Sequence, residues 1–322
     1  MPLPPAFQYR SRTMRIWIDT DIGSDVDDAL TLAYVLRHPG FELAGVSTVF
    51  GDVPLRTRIA QALLSTAEAP DVPVITGLGV PITPHRIGIM FGHEGAGLFE
   101  DPAPQIQTRE EPDAEKKIEA LAAALEKAKP DVVVAIGPLS NLGALARAGV
   151  RLPRLAIMGG KVEDVLLEGM IPQIPEWNWF CDPGAVQEVL AAEHETPPRI
   201  VPAEVTFRTA LEPGDVDRLA GGDALAQQIS TLCTHWLDFL RARAGGKEPR
   251  VALHDPLTAA TLVEAGLCPF EERRIRVDDG AATTVETGVA NVEVATDVDT
   301  AALRQHLMET WLSTTSQAAW QG

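Results

Sequence analysis

Cysteine is scarce: Cys181, Cys233 and Cys268 are the only three in 322 residues, far apart and without a C-x-x-C pair. A disulfide framework and a thiolate zinc centre are therefore not expected, and a reducing cytoplasm is the expected location. Basic residues are few as well. Against 45 Asp and Glu stand 27 Lys and Arg, a formal charge of −18. Such a surface argues against a nucleic-acid partner, whose backbone is held by Lys and Arg neutralising phosphates. A neutral small molecule, or a cation held by acids, suits the balance better. No apolar run is long enough to span a bilayer and no charged-then-apolar leader opens the chain, so no membrane partner is expected. Internal repeats, low-complexity tracts and a G-x-x-x-x-G-K-[S/T] phosphate loop are also missing.

What remains is 45% hydrophobic and alternates from end to end. Residues 1–13 are Pro-rich and aperiodic and read as a flexible extension; residues 14–322 read as one catalytic domain. Strands are predicted at Arg15 to Ile18, Phe41 to Phe50, Val72 to Thr76, Val132 to Ile136, Leu155 to Met158 and Arg199 to Val201. Helical periodicity falls at Ala29 to Arg37, Leu55 to Ala67, Ala224 to Arg243 and Thr300 to Trp311. A further helix is predicted over Pro256 to Ala265, opened by its Pro, and a late hairpin from Arg274 to Val277 with Val289 to Val294. Short apolar strands between helices imply an α/β fold: a single open, mostly parallel sheet with helices on both faces, Rossmann-like. The long Gly- and Pro-rich segment from Gly77 to Asp113, with His85 and His93, is expected to be a functional loop.

In such sheets sites form beyond the carboxyl ends of the strands. The run Asp19-Thr20-Asp21-Ile22-Gly23-Ser24-Asp25-Val26-Asp27-Asp28 stands at such an end. Asp at a helix start caps free N–H groups, which accounts for Asp27 or Asp28. Capping does not account for Asp19 and Asp21, where like charges at a strand end repel unless neutralised. A hard cation with oxygen ligands removes that difficulty. The spacing is not an EF-hand, since Ser24 stands at the Gly position and Leu30 at the final Glu position. It comes closer to the D-x-D-x-[T/V] motif of haloacid-dehalogenase-type phosphatases, but Gly23 stands at the Thr/Val position and Asp27 and Asp28 find no role there.

The run resembles the D-x-D-x-G-x-D-D-A signature of the inosine–uridine preferring nucleoside hydrolase family, with two extra residues before Asp27-Asp28-Ala29. The likeness continues in order through Thr48-Val49-Phe50-Gly51-Asp52, Ile136-Gly137-Pro138-Leu139-Ser140-Asn141, Met158-Gly159-Gly160, Glu176-Trp177-Asn178 with Asp182-Pro183, and His254-Asp255-Pro256. It spans roughly residues 15 to 310. The resemblance implies a ribonucleoside hydrolase, a homodimer or homotetramer that releases ribose and free base. It implies Ca2+ held by Asp21, Asp28, Asp255 and the Ile136 carbonyl, with Asp21 activating a calcium-bound water. Asp27, Glu176 and Asn178 are implied as ligands of the sugar hydroxyls, Trp177 as packing near sugar or base, and Met158 as part of the substrate-binding set. Beside Asp255, His254 is a candidate proton donor to the departing base, since an imidazole titrates near neutrality; His93, on the long Gly77 to Asp113 segment, is a candidate lid residue against substrate. Three departures touch the base side of the site. Asp52, in the implied substrate-binding set, stands where the family usually carries Asn; the loop from Lys161 to Pro175 is longer; and the helix ending near Arg243 carries His235, Trp236 and Phe239. The inserted residues also leave Asp25 as an alternative to Asp27 or Asp28. Two other readings stand beside the hydrolase: a phosphatase-like enzyme, and a non-catalytic sugar- or calcium-binding relative.

Overall fold

Strand β1 (Met14–Thr20) lies inside the sheet, with strands paired on both sides of it. The computed structural model describes residues 13–100, 104–168, 170–243 and 248–313; residues 1–12 of the Pro-rich extension lie outside them. After β1 come α1 (Asp27–Arg37), β2 (Phe41–Thr48), α2 (Val53–Thr66), β3 (Val74–Thr76), β4 (Gly88–Met90), β5 (Ile106–Thr108) and α3 (Ala114–Ala128). The middle of the chain gives β6 (Val132–Ala135), α4 (Ser140–Arg147), β7 (Arg154–Met158), α5 (Trp177–Cys181), α6 (Pro183–Ala191) and β8 (Arg199–Val201). The last part gives α7 (Ala203–Thr206), α8 (Asp215–Ala220), α9 (Ala224–Arg241), α10 (His254–Ala260), β9 (Phe270–Val277), β10 (Thr283–Glu286), β11 (Val292–Ala295) and α11 (Thr300–Trp311).

Nine strands form one sheet in the order β10-β9-β11-β8-β7-β6-β1-β2-β3, parallel from β11 to β3. Only the β9 edge is antiparallel, to β10 on one side and β11 on the other. The expected late hairpin thus gains a strand, Thr283–Glu286, whose exposed alternation is too short to stand out by period alone. Alternate residues along each parallel strand enter opposite layers, as the pleat requires. Ile16, Ile18, Val132 and Val134 pack with Leu30, Leu63, Ile229, Leu257 and Leu307 on one face, drawn from α1, α2, α9, α10 and α11. Trp17, Val133, Ala135 and Ile157 pack with Leu121, Leu142 and Val186 of α3, α4 and α6 on the other. Both faces are dry, which is why the strands read as continuous apolar runs rather than alternating ones.

The direction of winding reverses between β1 and β6: the chain goes outward to β2 and β3, then returns to pair β6 against β1. That reversal opens a crevice above the carboxyl ends of β1 and β6. Asp19 is the register partner of Ser47 on β2 and of Ala135 on β6, so the acidic run leaves the sheet at the mouth of the crevice. Two sequence expectations shift here. Helix α10 begins at His254, two residues before Pro256, which puts His254 and Asp255 in its first turn. The segment from Gly77 to Asp113 is not all loop, because Gly88–Met90 and Ile106–Thr108 pair as a small separate antiparallel sheet.

Candidate active site

Several chain segments reach the crevice, and the first supplies most of its charge. Asp21, Asp27, Asp28 and Asp255 are all buried. Burial raises Asp21 to about 7, against the opposing pull of the Arg56 guanidinium and with a further push from Asp25. Asp27, Asp28 and Asp255 are driven well above the carboxylate range, first by burial and then by one another and by Asp25. Four acids brought this close, without a matching set of bases, are the arrangement that a hard cation relieves. Asp25, Asp27 and Asp28 each offer an oxygen within 4.8 Å of the others, so Asp25 stands in the same cluster as both. The Asp255 amide N–H donates to Asp27 Oδ2 at 3.3 Å, tying the first turn of α10 to the first turn of α1.

The groups around the acids fix their positions. Thr20 Oγ1 donates to Asp28 Oδ1 and accepts from the Ile22 amide at 3.1 Å. Asp19, raised to about 6 by burial, has Oδ1 held by Ser47 Oγ and by Asn141 Nδ2, the latter at 2.8 Å. Asn141 also accepts from Leu78 N at 2.8 Å and donates to Thr48 O at 3.1 Å, so it braces three loops. Gly137 allows the β6 loop to lie directly on Asp21: a Cβ there would meet the backbone N and the Oδ1 of Asp21, each at 2.8 Å.

Arg56 was not singled out by its sequence context, yet it is fully buried inside the acid cluster. It donates to the carbonyls of Asp21, Ile22 and Phe50 and to Ser24 Oγ, and its Nη2 lies 3.9 Å from Asp21 Oδ2. Phe50 adopts the left-handed region, φ 68°, which turns its carbonyl towards that guanidinium. One signal was available. Arg56 precedes Ile59, Ala60 and Leu63 at i+3, i+4 and i+7, so it sits on the apolar stripe of α2.

The M-G-G turn and the Glu176 segment close the next side. Gly159 and Gly160 pass beneath the buried Trp179 ring, where a Cβ would stand 2.3 Å from Trp179 Nε1 and 2.7 Å from Cζ3 respectively. Glu176 caps α5, accepting from Asn178 N at 2.7 Å, Trp179 N at 2.9 Å and Gly160 N at 3.0 Å. Burial raises its carboxyl to about 7, moderated by those same amides. Asn178 Nδ2 donates to Ile136 O at 3.1 Å and also faces Met158 O and Sδ at 3.4 Å. The Ile136 carbonyl, the Asn178 amide and Met158 therefore share one edge of the crevice. Trp177 lies edge-on to Phe50, centroids 6.5 Å apart, and 5.8 Å from Phe91.

An aromatic wall faces the acids. His93 stacks on Phe239 at 3.6 Å and on Trp236 at 5.6 Å, and its Nε2 meets the Ser24 carbonyl. Glu94 holds that loop by accepting from the amides of Phe91, Gly92 and His93 at 2.6, 2.8 and 3.1 Å. Between wall and acids is a small cavity, about 40 Å³, bordered by Asp25, Ala29, Ile59, His93, His235 and Trp236. His254 stands at the start of α10 with Nδ1 2.8 Å from Thr206 Oγ1 and its ring edge-on to Phe207; burial lowers it to about 4. Asp52 is turned to another task, accepting from Leu55 N at 3.0 Å as the N-cap of α2.

Residues 16–305 match the family model of the inosine-uridine preferring nucleoside hydrolases. The chain is 27% identical over 279 residues to uridine nucleosidase 1 of Arabidopsis thaliana, covering 82% of this chain and 78% of that one. It is 27% identical over 314 residues to the non-specific ribonucleoside hydrolase RihC of Salmonella agona, covering 92% and 97%. Among solved structures it superposes on a plant nucleoside hydrolase, PpNRh1, with a TM-score of 0.76 at 21% identity, covering 94% of this chain and all of that one. The purine-preferring ribonucleoside hydrolase from Gardnerella vaginalis gives 0.74 at 21% identity, covering 92% and 98%. At that identity the structural likeness speaks to the fold.

Proposed function

This chain belongs to the inosine-uridine preferring nucleoside hydrolase family, and from that membership we propose that it hydrolyses the N-glycosidic bond of ribonucleosides with Asp21 as the base. The observation that carries the reading is the convergence of buried Asp21, Asp27, Asp28 and Asp255 at the crevice between β1 and β6. All the donors there are oxygens, which fits Ca2+ held by Asp21, Asp28, Asp255 and the Ile136 carbonyl. When bound, that ion lowers the pKa of water and orients hydroxyl oxygens.

The chain's own groups supply the rest. Asp21 takes a proton from the attacking water. Asp27, Glu176 and Asn178 are assigned to the sugar hydroxyls; Glu176 contributes chiefly by setting the backbone of Asn178, because its oxygens accept from Asn178, Trp179 and Gly160 amides. Positive charge grows on the ribose as the base departs, and the surrounding carboxylates favour it. Met158 and Trp177 line the sugar side, and His93, Trp236 and Phe239 give the base a face to stack against. His254 stands on the leaving-group side. With Nδ1 engaged by Thr206, Nε2 is the nitrogen left to hydrogen-bond the base. A phosphatase reading is less well supported: Arg56 is the cation within the acid cluster, and three backbone carbonyls take up its guanidinium.

The test is a panel of ribonucleosides assayed for free ribose, before and after chelation and with calcium restored. Turnover should vanish on chelation and return with calcium. Asp21→Asn should lower kcat by about a hundredfold to ten-thousandfold while the protein stays folded. In the same panel, His254→Ala should slow natural nucleosides more than a p-nitrophenyl riboside, whose phenolate leaves without help. Full activity after chelation, or an unimpaired Asp21→Asn, would overturn the assignment.

A further inference from the structure

A second group of ligating side chains lies at the other end of the molecule. His38 caps the carboxyl end of α1, and Glu264 follows α10 with its amide on Ala260 O at 2.9 Å. His306 faces both from α11. Helix α1 carries Asp27 and Asp28 at its start, and its 11 residues put His38 about 16 Å from them. Neither histidine, nor Glu264, takes part in the crevice.

The three side chains each present one ligand atom, all within 4.8 Å of one another. His306 Nδ1 is 3.8 Å from Glu264 Oε1, and the two imidazole centroids are 5.4 Å apart. A tetrahedral zinc, with bonds of about 2 Å, sets two ligand atoms about 3.4 Å apart and two imidazole centroids about 5 Å apart. The gap between those figures is a few tenths of an ångström to somewhat over one, within reach of small side-chain rotations. Tyr34 Oη lies 2.7 Å from His306 Nε2, which directs Nδ1 at Glu264 and supplies the outer hydrogen bond that metal-bound imidazoles use. The negative ends of the α1 and α10 dipoles meet there, which also favours a cation.

We propose that His38, Glu264 and His306 form a zinc site that ties α1, α10 and α11 together, with Tyr34 fixing the His306 ring. Two nitrogens and one carboxylate suit zinc, whereas the all-oxygen crevice suits a harder ion. Binding has a cost at His38. Gly40 N–H now donates to His38 Nδ1 at 3.1 Å. The metal-bound ring keeps its single proton on the other nitrogen, so that turn contact is exchanged for the metal bond or lost as the ring rotates. The helices tied in this way are two that present acids to the crevice, α1 and α10, and one that closes the fold.

The experiment is equilibrium dialysis of the untagged full-length protein against buffered zinc, with calcium saturating so that the acidic crevice is filled. A single zinc per chain is expected, with a higher Tm than the zinc-free protein. Tyr34→Phe should weaken zinc about tenfold, and Glu264→Gln at least as much, while His306→Gln should lose the site. Cobalt in place of zinc should give the visible absorption of a tetrahedral nitrogen-containing site in the wild type and not in His306→Gln. Should His306→Gln fail to fold, Glu264→Gln, altered at an exposed side chain, carries the comparison. Zinc binding unchanged in Glu264→Gln and Tyr34→Phe, or no zinc bound by the wild type, would overturn the proposal. Each readout is metal content, thermal stability or spectrum, so it stands or falls separately from nucleoside hydrolysis.

Discussion

Gly137 and Asp21 are neighbours in space across 116 positions of sequence, and the distance between them leaves no room for a methyl group. A Cβ at Gly137 would stand 2.8 Å from both Asp21 N and Asp21 Oδ1 and 2.9 Å from Val49 Cγ1. Two of these are atoms of the residue assigned as the base, so relief would come by moving Asp21. Gly137→Ala is therefore expected to cost about 1–3 kcal/mol of stability by overpacking. It should also cost about a hundredfold in kcat, the usual toll of a misplaced reacting group. Kinetics and urea unfolding of the same preparation check both. A variant with wild-type kcat would show that Asp21 tolerates displacement. Arg56 makes the complementary point. A buried cation spent on carbonyls holds the loop after β1 in shape and also tempers Asp21, so one side chain serves both position and charge.

At the level of elements, the helix starts carry the residues assigned to the chemistry. The first turns of α1 and α10 hold Asp27, Asp28, His254 and Asp255, and the Asp255 amide bonded to Asp27 joins the two. Helix α2 uses its starting acid differently, because Asp52 Oδ1 caps Leu55 N. Asn caps a helix about as well as Asp, and Ala does not. Asp52→Asn should therefore leave stability within about 0.5 kcal/mol, while Asp52→Ala should lose about 0.5–2 kcal/mol. Thermal and urea unfolding of the pair would measure this. If Asp52 also meets substrate, as the resemblance implies, Asp52→Asn will move KM without moving Tm. Unequal stability of the Asp and Asn forms would show that the carboxylate charge, beyond its cap, is in use. The same scale explains the misplaced start of α10. Pro at a first helical position is the common pattern, but the turn before Pro256 is already helical, and nothing in His254-Asp255 announces it.

For the whole molecule, the last helix is joined by charge to one nearly ninety positions earlier in the chain. Arg304 of α11 donates from Nε and Nη2 to Asp215 of α8 at 2.6 and 3.0 Å. Burial pushes the Asp215 carboxyl up, but the Arg304 hydrogen bonds, the Glu212 amide and the Arg304 and Arg218 charges together hold it below the usual range. A carboxyl with a depressed folded pKa stabilises the fold above its unfolded value, and that contribution is lost as pH falls through the folded one. Asp215→Asn should accordingly be less stable at neutral pH by about 1–3 kcal/mol, the worth of hydrogen bonds to a charged group. Its stability should also fall less steeply than that of the wild type below about pH 4, where an unpaired Asp titrates. Urea unfolding at neutral and acid pH measures both, and parallel acid limbs would remove Asp215 from the account.

The pattern of apolar runs determined the sheet, because strands dry on both faces leave long unbroken hydrophobic signals and parallel strands need helical crossovers. It also placed the acid-rich run at a strand end, since five Asp in ten residues are visible without any contact map. The resemblance named distant residues such as Asp255 and Ile136 for the site, but local sequence could not say how they would meet. That Asp255 lies beside Asp27, that Asn141 braces Asp19, and that Gly137 lies against Asp21 depends on the winding reversal between β1 and β6, a property of strand order. Nor could it show Arg56 as a buried member of the cluster, because a single Arg on an apolar stripe is read as a surface charge until the carbonyls of Asp21, Ile22 and Phe50 are seen around it. The motifs marked Glu176 and Asp52 as candidates, but that their carboxylates cap α5 and α2 follows from backbone geometry. The grouping of His38, Glu264 and His306 was invisible for the same reason: three residues with 226 and 42 positions between successive members meet only when α1, α10 and α11 pack together.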